Sequence, residues 1–221
     1  MTAARVIAIV GAESTGKSTL AIALRDALAA DGTPVACVNE ALREFCDAHG
    51  RTPRQHEQAA IADEQTRRIA TAAMSHRIVV ADTTALMIAV YSEIVFGDRS
   101  LYDAALAAHA RCTVTLLTAI DLPWQADGLQ RDGEHVREPV DTALRHALAR
   151  HGPGYSLVIG SGPARTATAL ATVQRQLRGI SAAAEGEQAI ASPSRWQGLC
   201  ERCGDPACER HLLPQPGSMR G

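Results

Sequence analysis

Short apolar runs recur along this chain at regular intervals, each followed by a longer stretch with helical spacing. The apolar runs are Val6–Val10, Val35–Val38, Ile78–Ala81, Thr113–Leu117 and Leu157–Ile159. Most are rich in valine and isoleucine and lack the polar alternation of a strand with one wet face, so the pattern predicts strands buried on both sides. Helical patterns fill the gaps at 18–30, about 54–74, 84–95, 100–109, 139–150 and 164–178. Strand and helix in strict alternation predict an α/β domain built on a parallel sheet with right-handed crossovers. In such a sheet, ligands gather beyond the carboxyl ends of the strands.

The first of those strand ends carries the strongest chemical signal. Gly11-Ala-Glu-Ser-Thr-Gly16-Lys17-Ser18 meets every fixed position of the G-x-x-x-x-G-K-[ST] phosphate loop, between a strand and a helix as that motif requires. Backbone N–H groups along Gly11, Glu13, Ser14, Thr15, Gly16, Lys17, Ser18 and Thr19 would face one anion, helped by the dipole of the following helix. Lys17 would reach the β- and γ-phosphates, and the Ser18 hydroxyl would ligate Mg²⁺. The expected cofactors are ATP and Mg²⁺.

The other strand ends hold further candidates. Asp82 closes the third apolar run, where a Mg²⁺-associated carboxylate belongs; alternatively it caps the helix beginning near Thr84. The second run leads into Asn39-Glu40-Ala41-Leu42-Arg43-Glu44-Phe45. There a carboxylate can take the proton of an attacking hydroxyl, and Arg43 can hold substrate or phosphate. The same two residues would also suit a surface ion pair three positions apart. After the fourth run, Trp124 stands in a Pro- and Gly-flanked loop between Asp121 and Asp127. It reads either as a stacking platform for a flat, cationic ring or as a plug packed onto the core. Further on, Arg131-Asp132-Gly133-Glu134-His135-Val136-Arg137 has the composition of a lid, with Arg131 covering the transferring group. The loop Gly160-Ser161-Gly162-Pro163 is a weaker candidate for wrapping the adenine edge.

Composition narrows the class. The chain has 221 residues, enough for one such domain with a small unit appended. Apolar residues make up 46% but aromatics only 3%, so alanine and aliphatic side chains must fill the core. A net charge of −2 without a basic run argues against nucleic acid as the main partner. The first strand begins too early for a signal peptide, and no apolar run reaches membrane-spanning length. A cytoplasmic location without membrane partners is expected.

Of six cysteines, Cys37, Cys46 and Cys112 are scattered and read as small buried hydrophobes. Cys200-x₂-Cys203-x₄-Cys208-x₂-His211 is different: four metal-binding side chains within twelve residues suit a closed, structural Zn²⁺ site, the alternative being reduced surface thiols. The expected organisation is a nucleotide-binding domain over 1–180, a linker over 181–195 containing Gly186 and Ser192-Pro193-Ser194, and a zinc-binding tail over 196–213. Residues 214–221 have the composition of a disordered end.

Taken together, these residues resemble the ribosylnicotinamide kinase domain of the NadR family, a P-loop, AAA-like group of ATP-binding proteins. The resemblance spans roughly residues 5–178. It rests on Gly11 to Leu20, on the block at 39–45, and on Ile61-Ala62 followed by Gln65. Asp82-Thr83 and the block Asp121-Leu-Pro-Trp124 through Asp127-Gly128-Leu129 complete it. It implies a P-loop kinase fold and γ-phosphoryl transfer from ATP to the 5′-hydroxyl of nicotinamide riboside, a step of NAD biosynthesis. The candidate site comprises Lys17, Glu40, Asp82 and Arg131, with Glu40 or Asp82 taking the hydroxyl proton and Glu40, Arg43, Asp121, Trp124 and Asp127 around the acceptor. This sequence lacks the DNA-binding and adenylyltransferase segments of the family's longer members, and Gln130 stands where they carry arginine. Two other functions fit the same motifs: a kinase for a different small hydroxylated substrate, and an ATP-dependent switch that contacts a partner through the Cys/His tail.

Overall fold

A computed structural model describes residues 3–125, 133–151 and 154–191. Five strands form one sheet: β1 (Arg5–Val10), β2 (Val35–Val38), β3 (Ile78–Asp82), β4 (Val114–Thr118) and β5 (Ser156–Val158). They lie in the order β2-β3-β1-β4-β5, and every pairing is parallel. Among the described residues, seven α-helices connect and cover them: α1 (Lys17–Ala29), α2 (Ala41–His49), α3 (Gln58–Ser75), α4 (Ala85–Phe96), α5 (Tyr102–His109), α6 (Arg137–His151) and α7 (Gly162–Ala191). Parallel strands require long crossovers, and the helices supply them while covering the sheet.

The central position of β1 explains its composition. Val6 to Val10 are all buried, with Ile7 and Ile9 packing with Leu20, Leu24 and Val173 from α1 and α7. The alternate residues serve the opposite face, where Val10 meets Leu86 and Met87 of α4 and Leu144 of α6. Period-two alternation therefore persists in a strand with no polar face, because both faces are core. The α4 sequence ALMIAVYSEIVF is apolar around most of its circumference, and Ala85 to Val90 are all buried. A helix of that kind belongs inside a protein rather than on its surface.

Two local readings change. Helix α2 was not foreseen, because it is only nine residues long; Leu42 and Cys46 anchor it against Ile61 and Ile88. The stretch starting at 181, read as a linker, is helical as far as Ala191. Ala182, Ala183 and Ala184 favour helix strongly enough for one glycine, Gly186, to be carried within it. The chain divides into two units, Met1–Arg178 and Gly179–Gly221, and of the second only residues through 191 are described. No helix among the described residues is long and apolar enough to cross a membrane.

Among the scattered cysteines, Cys46 is fully buried, whereas Cys37 on the edge strand and Cys112 are half-buried. Desolvation pushes the Cys46 thiol up to about 11 and that of Cys112 up to about 12, so neither is a thiolate at neutral pH.

His109 is also inside the core. It is 1% exposed, with Nδ1 3.0 Å from Thr84 Oγ1 and Nε2 3.1 Å from Thr115 Oγ1. Burial lowers its pKa from 6.5 to about 4. The depressed value means that the unfolded chain binds a proton more readily than the folded one. Its contribution to stability is therefore complete above pH 6.5 and is lost as the pH falls towards about 4. Between those limits the loss should approach about 1.4 kcal/mol per pH unit. Chemical unfolding of the wild type and His109→Gln across that window checks this: the difference between them should shrink as pH falls, and parallel curves refute it.

Candidate active site

The strand register brings the chemical residues to one edge. Ile9 pairs with Asp82 on one side and Leu116 on the other, and Val38 pairs with Ala81. The loops leaving β1, β2, β3 and β4 therefore emerge at nearly the same height. This is the carboxyl edge, where an open parallel sheet binds its ligands.

The phosphate loop depends on two glycines. Gly11 has φ of +150°, and a Cβ there would sit 2.1 Å from Thr118 Oγ1 and 2.9 Å from Thr118 O. Gly16, at φ of +71°, is the left-handed residue from which α1 starts. Between them, Ser14 also adopts a positive φ of 53°. Such a turn aims consecutive N–H groups into one concavity, which suits an anion. Thr15 secures it: its hydroxyl lies 2.7 Å from both Ala12 O and Thr118 Oγ1. Lys17 is buried with its ammonium 2.9 Å from Ala12 O, folded across the loop it would serve.

The loop opens into a cavity of about 480 Å³ lined by residues 14–19, Arg43, Leu122, Pro123 and Gln125. Ser14 Oγ donates to Gln125 O at 2.7 Å and accepts from Gln125 N–H at 3.2 Å, tying the phosphate loop to the segment after β4. A larger recess of about 580 Å³ lies elsewhere, with Glu93, Arg99, Tyr102 and Glu138 in its wall, and contains no phosphate-loop residue.

Asp82 is 5% exposed at the end of β3, and its Oδ1 is buried without a hydrogen-bond partner. A carboxylate oxygen in that condition is costly unless something cationic meets it, which is the state expected of a metal ligand. The capping alternative fits less well, since the N-cap position of α4 is Thr84. The donor set formed by the Ser18 hydroxyl and Asp82 consists of oxygens, as Mg²⁺ prefers.

Glu40 is the N-cap residue of α2 and is only 5% exposed. It is within 3.6 Å of Arg43, so the ion pair allowed by the spacing does form. It is not a surface pair, however, because Glu40 is buried and Arg43 lines the phosphate-loop cavity.

Trp124 is half-buried and belongs to none of the described apolar clusters; its indole Nε1 is buried without an acceptor. Asp121 accepts from Gly160 N–H at 2.6 Å. Asp127 and Arg131 lie outside the described residues, as do Cys200, Cys203, Cys208 and His211. Among the described residues, no group of three or more His, Cys, Asp or Glu side chains is arranged to hold a metal ion.

One arginine escaped the sequence reading, and a second, from the lid-like run, takes a buried place. Arg165, in the first turn of α7, is 7% exposed and donates to Thr15 O at 2.7 Å, with Nη1 2.9 Å from where a Gly16 Cβ would project. Burial lowers its pKa, an effect opposed by Asp121. Arg137, 6% exposed at the start of α6, donates to Leu122 O at 2.8 Å. Only chain folding brings Arg165 to a loop 150 positions earlier. No local signal could have found it.

Comparison with known proteins is consistent with this geometry. No functionally curated protein matches the sequence. Among solved structures, a NadR protein in complex with NR aligns with a TM-score of 0.65 at 20% identity, over 78% of this chain and 49% of that one. A NadR protein in complex with NAD and AMP-PNP gives 0.62 at 20% identity with the same coverage. The chain thus spans about half the length of these NadR structures. Thymidylate kinase from Ehrlichia chaffeensis aligns at 0.56 and 13% identity, over 80% of this chain and 100% of that one. These likenesses establish the P-loop kinase-like fold. An AAA domain family model matches residues 6–165, from the first strand to the arginine that braces the phosphate loop, and the chain accordingly belongs to the AAA domain family.

Proposed function

We propose that this protein transfers the γ-phosphoryl group of ATP to a hydroxyl of a small nucleoside-type acceptor, the 5′-hydroxyl of nicotinamide riboside being the first candidate. The observation that carries this reading is the pair of buried carboxylates, Glu40 and Asp82, at the carboxyl ends of β2 and β3 beside a complete phosphate loop. A loop built only to bind and release nucleotide has less need of two desolvated acids, whereas phosphoryl transfer needs one to take a proton and one to assist the metal.

In this scheme Lys17 and the loop N–H groups hold the β- and γ-phosphates. Ser18 and Asp82 would hold Mg²⁺, which supplies charge neutralisation on the transferring group. Glu40 accepts the proton of the attacking hydroxyl, and Arg43 steadies the same end of the site. Arg131 and Arg137 belong to the segment that covers the phosphates and excludes water. Positioning and electrostatics account for most of the rate in such a reaction. The likeness to NadR bound to NR supports the choice of first acceptor. For the tail, the donor chemistry of Cys200, Cys203, Cys208 and His211 supports structural Zn²⁺ on its spacing alone.

The test is a screen of nucleosides for ADP release that depends on the acceptor. A kinase consumes ATP only when its acceptor is present; a nucleotide switch hydrolyses it slowly regardless, and that outcome would overturn the proposal.

Trp124 gives a second check. A stacking platform binds ground state and transition state alike, so Trp124→Ala should raise acceptor KM roughly tenfold while changing kcat little. In a Trp196→Phe background, binding of a pyridinium nucleoside should quench the remaining tryptophan fluorescence. Unchanged KM and no quenching would place the acceptor elsewhere.

A further inference from the structure

Gln65 is wholly buried on α3, outside the phosphate-loop cavity, yet its amide reaches both carboxylate-bearing strand ends. Its Oε1 accepts from Ala41 N–H at 2.7 Å, the first backbone amide after Glu40. Its Nε2 donates to Thr83 O at 3.3 Å, the carbonyl immediately after Asp82. A primary amide offers an acceptor and a donor on one rigid plane, a combination few side chains supply at neutral pH.

The segment that Gln65 grips is itself strained. Thr83 has a φ of +74°, a left-handed conformation that β-branched residues rarely adopt and that persists only when the surroundings enforce it. Thr83 N–H donates to Ile9 O at 3.0 Å, and its neighbour Thr84 is held by His109. The turn is thus pinned to β1, to α5 and, through Gln65, to the start of α2.

We propose that Gln65 is a positioning residue that fixes the separation of Glu40 from Asp82, and so aligns the acceptor hydroxyl with the metal-bound phosphate. The inference rests on the kinase reading of those two carboxylates. A single amide spans the gap because β2 and β3 are neighbours whose ends lie level, with Val38 paired to Ala81. Apart from this bridge, the α2 start and the segment after the β3 turn meet through apolar packing of Ala41 and Leu42 with Ala85 and Ile88, which has no directional preference and leaves room for small shifts.

Gln65→Glu and Gln65→Met test this. The glutamate, when ionised, still accepts from Ala41 but repels the Thr83 carbonyl; when protonated, it restores both contacts. Burial raises its pKa towards the neutral range. The kcat of Gln65→Glu relative to wild type should therefore rise as pH falls. Gln65→Met should lose roughly ten- to a hundredfold in kcat at every pH, the effect of small misplacement of reacting groups, with KM for ATP unchanged. Amide hydrogen exchange across residues 39–44 and 82–86 supplies a readout independent of turnover, and both segments should exchange faster in Gln65→Met. If wild type shows no acceptor-dependent turnover, the kinase reading fails, and exchange alone then decides whether the bridge exists. If wild type is active but the Gln65→Glu ratio is flat with pH, or exchange is unchanged in both segments, the positioning role is overturned while the kinase reading stands.

Discussion

Lys17→Ala should abolish acceptor-dependent ADP formation, with a loss of roughly three orders of magnitude or more in rate. Lys17 is 7% exposed, and its ammonium already lies across the phosphate loop, 2.9 Å from Ala12 O. Once the site closes over its nucleotide, a charge on the β/γ-bridging region is worth far more than it would be in bulk solvent. The substitution should leave the fold intact, because the aliphatic core of β1 and α1 is made by Ile7, Ile9, Leu20 and Leu24. Single-turnover ADP formation, with thermal unfolding as a control, measures the effect. Near-normal turnover would remove the phosphate loop from the mechanism.

Glu40→Gln should lower kcat by roughly two to three orders of magnitude, the range of a lost general base, with KM for ATP nearly unchanged. Glutamine preserves the shape and the N-cap position but cannot take the acceptor's proton. Asp82→Asn should behave differently, raising the Mg²⁺ concentration needed for half-maximal rate, because an amide oxygen carries no charge to offset the metal. Titrating Mg²⁺ against rate for both variants assigns the roles. The reverse pattern would exchange them, and full activity in both would remove the strand-end acids from the chemistry.

Most of the candidate nucleotide site could be read locally because it is locally encoded. Gly11, Gly16, Lys17 and Ser18 lie within eight residues, and their conformations follow from a strand-to-helix turn that the residues themselves favour. Asp82 was recognisable as the polar end of an apolar run. The case of Glu40 was harder: its spacing to Arg43 suits an exposed pair or a buried site equally well, and only the packing of α2 shows that Glu40 is buried. The nine-residue α2 itself went unrecognised, because so short a helix takes its stability from tertiary packing rather than from its own sequence.

Arg165, the backbone contact of Arg137 and the bridging role of Gln65 have no local signature. Each acts on backbone carbonyls or amides distant in sequence: Thr15 for Arg165, Leu122 for Arg137, and both Ala41 and Thr83 for Gln65. Backbone groups are the same at every position, so nothing in the partner's identity announces such a contact. The sequence by itself determined the alternation of buried strands and helices, the phosphate loop and the acidic strand ends, because periodicity and turn chemistry act over a few residues. The tertiary structure alone decided which strands are neighbours, which acids are desolvated and which distant side chains brace the loop, because those depend on the order in which parallel strands are laid into the sheet.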